Sequence, residues 1–591
     1  MFTTRPELVG THAMVSSTHW LASQSAMAIL ERGGNAFDAA VAAGLVLQVV
    51  EPHLNGPAGE VPIIAWDATT QRPFVVCGQG TAPRAATLSA FADLGLDLVP
   101  GTGLLPACVP GAFGAWMLLL RDHGTLRLRD VLQYAIGYAR DGFPVLERVH
   151  ATIETVRPMF TAHWPSSAAV WLPHGRPPEP GALVTNADLA ATYLRLLDEA
   201  EAASHDRDGQ IEAARDVFYE GFVAEAITDF AEGTPVMDVS GEPHRGLLSL
   251  DDLGRWQPTV EDPVSLDYRG LTVLKPGPWS QGPVFLQQLA LLDGFDLDGY
   301  GACSAELAHV VVECAKLAFA DREAFYGDPL VVDVPLAELL SADYAAQRRA
   351  AIGDEASGEL RPGSPGGRTP VLPTLPDSHA GVDDAMVGEP TVRTSGETRG
   401  DTCHVDVVDR HGNMVSATPS GGWLQSSPVI PGLGFPLGTR AQMFWLQEGL
   451  PNSLAPGKRP RTTLSPSLAL ADGSPRLAFG TPGGDQQDQW SLLFLLRHVH
   501  HGMNLQEAVD APAWHTSHFP SSFYPRESHR RRVHIESRVP AGTIAGLRER
   551  GHEVWPEDAW SLGRLCAVSR SGPLLRAAAN PRGMQGYATG R

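Results

Sequence analysis

Residues 400–422 read GDTCHVDVVDRHGNMVSATPSGG, and the rest of the chain is best understood outward from them. Val405, Val407 and Val408 have strand character, residues 409–413 form a glycine-containing turn, and residues 414–418 return as the second strand of a hairpin. With the turn centred near His411, Ser420 comes back opposite Thr402 and Thr418 opposite His404, because a hairpin's register is pinned by its turn. Hydroxyls then cluster at one end of a sheet, the first sign of a nucleophile. Alternation along the strand sends the Cys403 side chain to the face opposite Thr402, which predicts a buried thiol and not a second nucleophile.

Upstream of this hairpin, from residue 353 to residue 400, the composition shifts to Gly, Pro, Ser, Thr, Asp and Glu with almost no aliphatic periodicity. Such a stretch inside a compact protein reads as a flexible linker or functional loop. Further upstream, residues 23–51 place Ala, Leu, Ile and Val at helical spacing, with Gly33 and Gly34 as a stop and Asn35 as the cap of a second helix. That second helix is apolar nearly all round, the signature of burial between layers. Strand-like runs at 63–66 and 74–77, helical runs within 103–150, the strand LTVLKP and the helices PVFLQQLALLDGF and SAELAHVVVECAKLAFADREAF complete the first part. Downstream, strands are expected at GFPLGTRAQMFWL, TTLSPSLALADG and PRLAFGTPGG, then helices near 486–498, from Leu505, and over 542–550. The alternation fits a layered α/β architecture.

Composition narrows the function. Among 591 residues, 43% are hydrophobic and 19% charged, an ordinary globular balance. Lys and Arg total 45 against 67 Asp and Glu, and the formal net charge of -22 argues against nucleic acid and anionic membranes as partners. The six cysteines are too scattered for a zinc ribbon and too sparse for a disulfide scaffold, so they read as buried thiols in a reducing compartment. With no signal-like start and no apolar run of membrane-spanning length, a cytoplasmic location is expected. His498, His500, His501, His515 and His518 match no metal-ligand spacing, so neither a metal nor another cofactor is expected. Residues 530–532, all arginine, read as a solvated loop.

A threonine hydroxyl needs a base to act as a nucleophile at neutral pH. An N-terminal threonine carries one, since its α-amine has a reference pKa of about 7.7–8.0. Thr402 is internal, but cleavage of the peptide between Asp401 and Thr402 would give it that amine. A loose segment followed by a rigid hairpin suits such a cut.

The same residues carry a resemblance. GDTCHVDVVDRHGNMVSATPS resembles the processing and nucleophile segment of the γ-glutamyltransferase family of N-terminal nucleophile hydrolases. GKRPRTTLSPSLAL is similar to that family's KRP-x-SSMSP segment and AFGTPGGD to its G-S-P-G-G segment, while ERGGNAFDAAVAAGLVLQVVEP, ECAKLAFADREAFYGDP and MNLQEAVDAPAWH match further features in order. The resemblance implies a four-layer αββα sandwich, classed α/β (α+β), formed jointly by a large subunit (1–401) and a small one (402–591) that stay associated. It implies Thr402 as nucleophile, Gly483 and Gly484 as oxyanion-hole amides, and Ser420 as the hydroxyl that bonds the nucleophile. Glycines suit an oxyanion hole because no Cβ obstructs the approach.

The resemblance breaks where the family reads a glutamate head group. Its carboxylate-binding arginine falls on Gln79, its ammonium-binding acid on Met443, the neighbouring glutamine on Arg440, and an asparagine on Gly422; the serine pair survives in kind as Thr462 and Thr463. Two uncompensated substrate charges would be costly there, which implies a small amide substrate other than glutathione. The divergent members are associated with other amide substrates: those of cephalosporin-type acylases, small oxalyl amides such as oxamate, and unusual bond cleavages in antibiotic pathways. Arg440 is the candidate replacement contact for a carboxylate. Two alternatives stand beside this reading: a true γ-glutamyl transferase with a re-wired pocket, and an unprocessed chain that serves as a binding protein. Taken singly, Thr402, Thr462 and Thr463 are ordinary strand threonines, Ser420, Gly483 and Gly484 ordinary turn residues, and Arg440 an ion-paired arginine.

Overall fold

In the computed structural model, which describes residues 2–375 and 402–591, Val405–Asp409 pairs antiparallel with Met414–Ala417, Val405 facing Ala417 and Val408 facing Met414. Thr402 and Ser420 form an isolated bridge beyond the end of this ladder, the register expected from the turn. Asp401 and the rest of the stretch up to residue 376 lie outside the described residues.

The hairpin sits in the middle of a seven-stranded sheet. Its order is Tyr587–Gly590, Ala13–Ser17, Val405–Asp409, Met414–Ala417, Val61–Asp67, Arg72–Gly78 and Thr259–Glu261. A second seven-stranded sheet runs Leu8–Gly10, Leu574–Ala579, Cys566–Ser571, Ser474–Gly480, Ser467–Ala471, Leu271–Lys275 and Val264–Tyr268. Every pairing in both is antiparallel. Each sheet therefore interleaves strands from before residue 376 with strands from after residue 401.

Strand alternation builds the layers. Val408, Met414, Ile64 and Trp66 point inward and pack against Leu274, Leu468, Ala478 and Val568 of the second sheet. On the other face of the hairpin, Cys403, Val405, Val407, Val415 and Ala417 pack against Trp20–Glu31, Ala36–Val50 and the helices outside them. The second sheet is covered by Gly282–Leu292, Ala305–Phe325 and Gln487–His500. The result is the αββα order expected.

Ala36–Val50 is buried along its whole length, as its apolar sequence predicted. Its start is fixed by a capping box: Asn35 accepts from the Phe37 and Asp38 amides, and Asp38 accepts from the Asn35 amide. Gly44 lies against the Trp116 ring, where a Cβ would stand 2.3 Å from a ring carbon, so glycine permits that helix to approach its neighbour Ala112–His123.

Three expectations change. Residues 434–446 form no strand; their buried apolar side chains pack from an irregular path with a short 3-10 turn at Arg440–Met443. Their backbone donors go elsewhere, Gly438 to the Ala58 carbonyl and Ala441 to that of Pro106. The described part of the linker, residues 353–375, carries only a 3-10 turn at Pro365–Gly367 yet is held in place. Ser357 donates to Glu313, Lys316 reaches the Ser357 carbonyl, Arg361 pairs with Glu313, and Gly363 donates to Asp321, all on helix Ala305–Phe325. Arg530 and Arg531 are exposed as expected, whereas Arg532 opens strand Arg532–Glu536 and lies 3.9 Å over the Trp555 ring.

Loss of the helix cap in Asn35→Ala is expected to cost about 1 kcal/mol, and the overpacking of Gly44→Ala about 1–3 kcal/mol. Both are read as a lower denaturation midpoint in urea with an unchanged slope.

Candidate active site

Thr402 stands at the open end of the central hairpin, fully buried, with its Oγ1 3.1 Å from Ser420 Oγ. Its partner is fixed from behind. The Ser420 amide donates to the Glu60 carbonyl and the Glu60 amide to the Ser420 carbonyl, at 3.0 and 2.8 Å. Gly59 makes this approach possible, since a Cβ there would lie 2.1 Å from the Ser420 oxygen. Cys403 points away, its thiol 3.0 Å from Glu51 Oε2 and accepting from Asn55. Burial, and then the Glu51 carboxylate, push that thiol well above its usual range.

Arg440 belongs to this cluster. Its Nη2 donates to Ser420 Oγ at 3.0 Å and pairs with the Glu60 carboxylate. The guanidinium lies 5.2 Å over the Trp423 ring and 5.7 Å from that of Phe523, and both it and Glu60 are buried. Burial raises the Glu60 pKa and Arg440 opposes that rise. Thr402, Ser420, Arg440 and Glu60 thus form one chain of contacts. Glu60 is the member the sequence did not reveal: it lies in the Gly- and Pro-rich run PAGEVP, and only the sheet brings it to Arg440.

Gly483 and Gly484 come from the second sheet, at the end of strand Ser474–Gly480. Both have positive φ, +126° and +52°, and a Cβ on Gly483 would stand 2.2 Å from Trp490, so the turn requires glycine. It leads into the 3-10 turn Gly484–Gln486 and helix Gln487–His500, whose first amides have no intrahelical partner. Asp485 anchors the turn through a buried ionic network: it pairs with Arg322 and accepts from Ser522, while Glu323 binds both Arg322 and Arg461. Arg564 links this loop to the hairpin, its amide donating to Thr481 Oγ1 at 2.8 Å and its Nη2 reaching the Thr402 carbonyl at 3.5 Å.

The remaining candidates are more loosely joined to Thr402. The Thr462 amide donates to the Trp279 carbonyl, and buried Thr463 Oγ1 finds no hydrogen-bond partner among the described residues. Gln79 is buried, donates to the Gly80 carbonyl, and lines a surface cavity of about 290 Å³ together with Arg459, Asp252 and Leu330. Met443 packs with Trp423 and Phe523, giving the Arg440 surroundings an apolar wall.

The gamma-glutamyltranspeptidase family model matches residues 22–590. The glutathione hydrolase-like YwrD proenzyme of Bacillus subtilis is 32% identical over 98% of this chain and 98% of its own. The oxamate amidohydrolase proenzyme of Klebsiella pneumoniae is 32% identical over 97% and 98%. The solved structure of LmbA2991HD is 59% identical over the whole of both chains, with a TM-score of 0.93. The fold and the site at the hairpin's end define an N-terminal nucleophile hydrolase. The chain belongs to the gamma-glutamyltranspeptidase family, and it is an amidohydrolase or acyltransferase of that class.

Outside the hairpin, the histidines singled out in the sequence are dispersed: His498 bonds the Met503 carbonyl, His500 bonds Tyr268 and Asp298, and His518 bonds the Glu359 carbonyl. A different group, His309, Glu313 and His552, places ligand-type atoms within 4.8 Å of one another. Its members are already engaged, His309 with His552 and the Gly353 carbonyl, Glu313 with Lys316 and Arg361. Those two cations make the cluster a poor host for a metal ion. All six cysteines are unpaired. No helix among the described residues is long and apolar enough to cross a membrane.

Burial, and next the Lys316 charge, lower His518 to about 3 and His552 to about 2. Both stay neutral in the fold while the unfolded chain protonates them below about pH 6.5, so the unfolded state binds more protons and stability falls as the pH falls. The melting temperature is expected to drop between about pH 6.5 and pH 4, and His552→Phe should flatten that slope.

Proposed function

We propose that the precursor cuts itself between Asp401 and Thr402, and that the two products, 1–401 and 402–591, act together as an amidase or acyl transferase on a small acidic amide. In this reading the freed α-amine of Thr402 takes the hydroxyl proton as Oγ1 attacks the substrate carbonyl. The Gly483 and Gly484 amides receive the oxyanion. As the tetrahedral adduct collapses, the ammonium returns its proton to the leaving amine, and water or an acceptor amine releases the acyl group from Oγ1. The Thr402–Ser420 contact carries the proposal. Arg440 donates to Ser420 Oγ, and in this reading the serine O–H donates to Thr402 Oγ1 and steadies the negative charge that grows there. Interleaving of both sheets supports continued association of the two products, and the unpaired cysteines fit a cytoplasmic location.

The substrate follows from charge. With Gln79 and Met443 at the positions where the family keeps an arginine and an acid, Arg440 is the guanidinium on the Ser420 side of Thr402, joined to it by two successive hydrogen bonds of 3.0 and 3.1 Å, while Arg564 lies at the Thr402 carbonyl. A carboxylate close to the scissile carbonyl suits it, as in oxamate or a short dicarboxylic monoamide. Thr462 and Thr463 supply further hydroxyls for the acyl group. The buried Arg440–Glu60 pair also favours a second reading, a γ-glutamyl donor whose two head-group charges meet a relocated pair.

On a denaturing gel, wild type is expected to run as two fragments with Thr402 at a new N-terminus, and Thr402→Ala as one uncut chain. A wild-type chain that persists uncut would sink the proposal. Ammonia release from oxamate, compared with 4-nitroaniline release from glutaryl and γ-glutamyl anilides, separates the two substrate readings. Arg440→Ala is expected to raise KM for the preferred acidic donor about tenfold or more; an unchanged KM removes Arg440 from substrate binding.

A further inference from the structure

Thr402, His404 and Asp406 share the hairpin face that looks toward the second sheet. His404 is fully buried, with Nδ1 2.9 Å from Thr418 Oγ1 and Nε2 3.0 Å from Asp406 Oδ1. Ser416 Oγ stands 3.4 Å from the same Nε2. The ring is thus held at both nitrogens by its own hairpin, one rung below the Thr402–Ser420 contact. Across the gap, its edge lies where the backbone of Gly480 approaches, and a Cβ on Gly480 would be 2.3 Å from His404 Cε1. Gly480 ends the strand Ser474–Gly480, and three residues later the chain reaches Gly483. Among the described residues, the three heavy atoms nearest to such a Cβ all belong to the His404 ring.

We propose that His404 is a positioning residue: its imidazole is the spacer that sets the separation between the strand carrying Thr402 and the strand leading into Gly483 and Gly484. A nucleophile and an oxyanion hole that belong to different sheets need a fixed gap, because a misplacement of about 1 Å can cost about 100-fold in rate. Elsewhere in this interface apolar side chains such as Val408, Leu468 and Val568 fill the gap. A ring with a hydrogen bond at each nitrogen has one orientation and one thickness. Asp406 and Thr418 then act by orienting the ring, and glycine at 480 is the matching half of the device.

This inference rests on the proposed role of Thr402, and the test keeps the two apart. The rate of self-cleavage is followed on denaturing gels for wild type, His404→Ala, Gly480→Ala and the double variant, each checked for native near-UV circular dichroism and melting temperature. Each single change is expected to slow cleavage about tenfold or more, and the double variant, in which the new methyl enters the space the ring vacates, should be faster than the slower single. Cleavage of His404→Ala within about twofold of wild type, or a double variant whose loss is the product of the two singles, overturns the spacer. Loss of rate that merely tracks melting temperature does so as well. If His404→Ala does not fold, His404→Gln, which keeps hydrogen-bonding atoms without the ring, takes its place with the same outcomes. Wild type that never cleaves would instead overturn the proposed function.

Discussion

The backbone pairing of the 402–420 hairpin with Ala13–Ser17 on one side and Val61–Asp67 on the other is the constraint on which the structure depends. Those two strands come from the beginning of the chain, nearly the whole length of the large region away in sequence. Pairing on both sides gives the hairpin no freedom to slide, since a slip of one residue would exchange its inward and outward faces. The Thr402–Ser420 rung inherits that rigidity. Around it the layers follow from strand alternation: Val405 and Val407 turn to the helices, Val408 and Met414 to the second sheet.

The site is assembled from both sheets, and its two halves are held by different physics. On the hairpin side, backbone hydrogen bonds between Glu60 and Ser420 bring a buried carboxylate and a buried guanidinium together. Neither charge would be tolerated there alone. On the other side, two glycines in left-handed conformation turn against Trp490, and Asp485 is bound into a network of arginines. Arg564 touches both halves, with its amide on Thr481 and its guanidinium at the Thr402 carbonyl.

Much of this was legible in the sequence, and the reasons differ by element. The register of the hairpin followed from alternating valines and one glycine-containing turn, both local. The buried helix Ala36–Val50 followed from its continuous apolar run and its asparagine cap. Glu60 and Arg564 were not legible, because nothing local marks them and their partners are remote in sequence, Arg440 for Glu60 and Thr481 and Thr402 for Arg564. Residues 434–446 misled for the opposite reason: Phe444 and Trp445 are buried, which reads as strand, but the Phe444 amide bonds the Ala441 carbonyl within its own turn and the Trp445 amide bonds that of Asn452. The interleaving of early and late strands in each sheet is likewise a property of long-range pairing that no window of sequence contains.

The network around Asp485 has a consequence for the conditions under which the molecule works. Its charges, those of Asp485, Arg322, Glu323 and Arg461, are all shielded from solvent, beyond the reach of mobile ions. Dissolved salt screens charges at a surface and leaves interior ones largely untouched. The loop at Gly483 and Gly484 is therefore anchored by electrostatics that ionic strength does not tune, and salt acts on this protein chiefly through its net negative surface and through the approach of charged ligands.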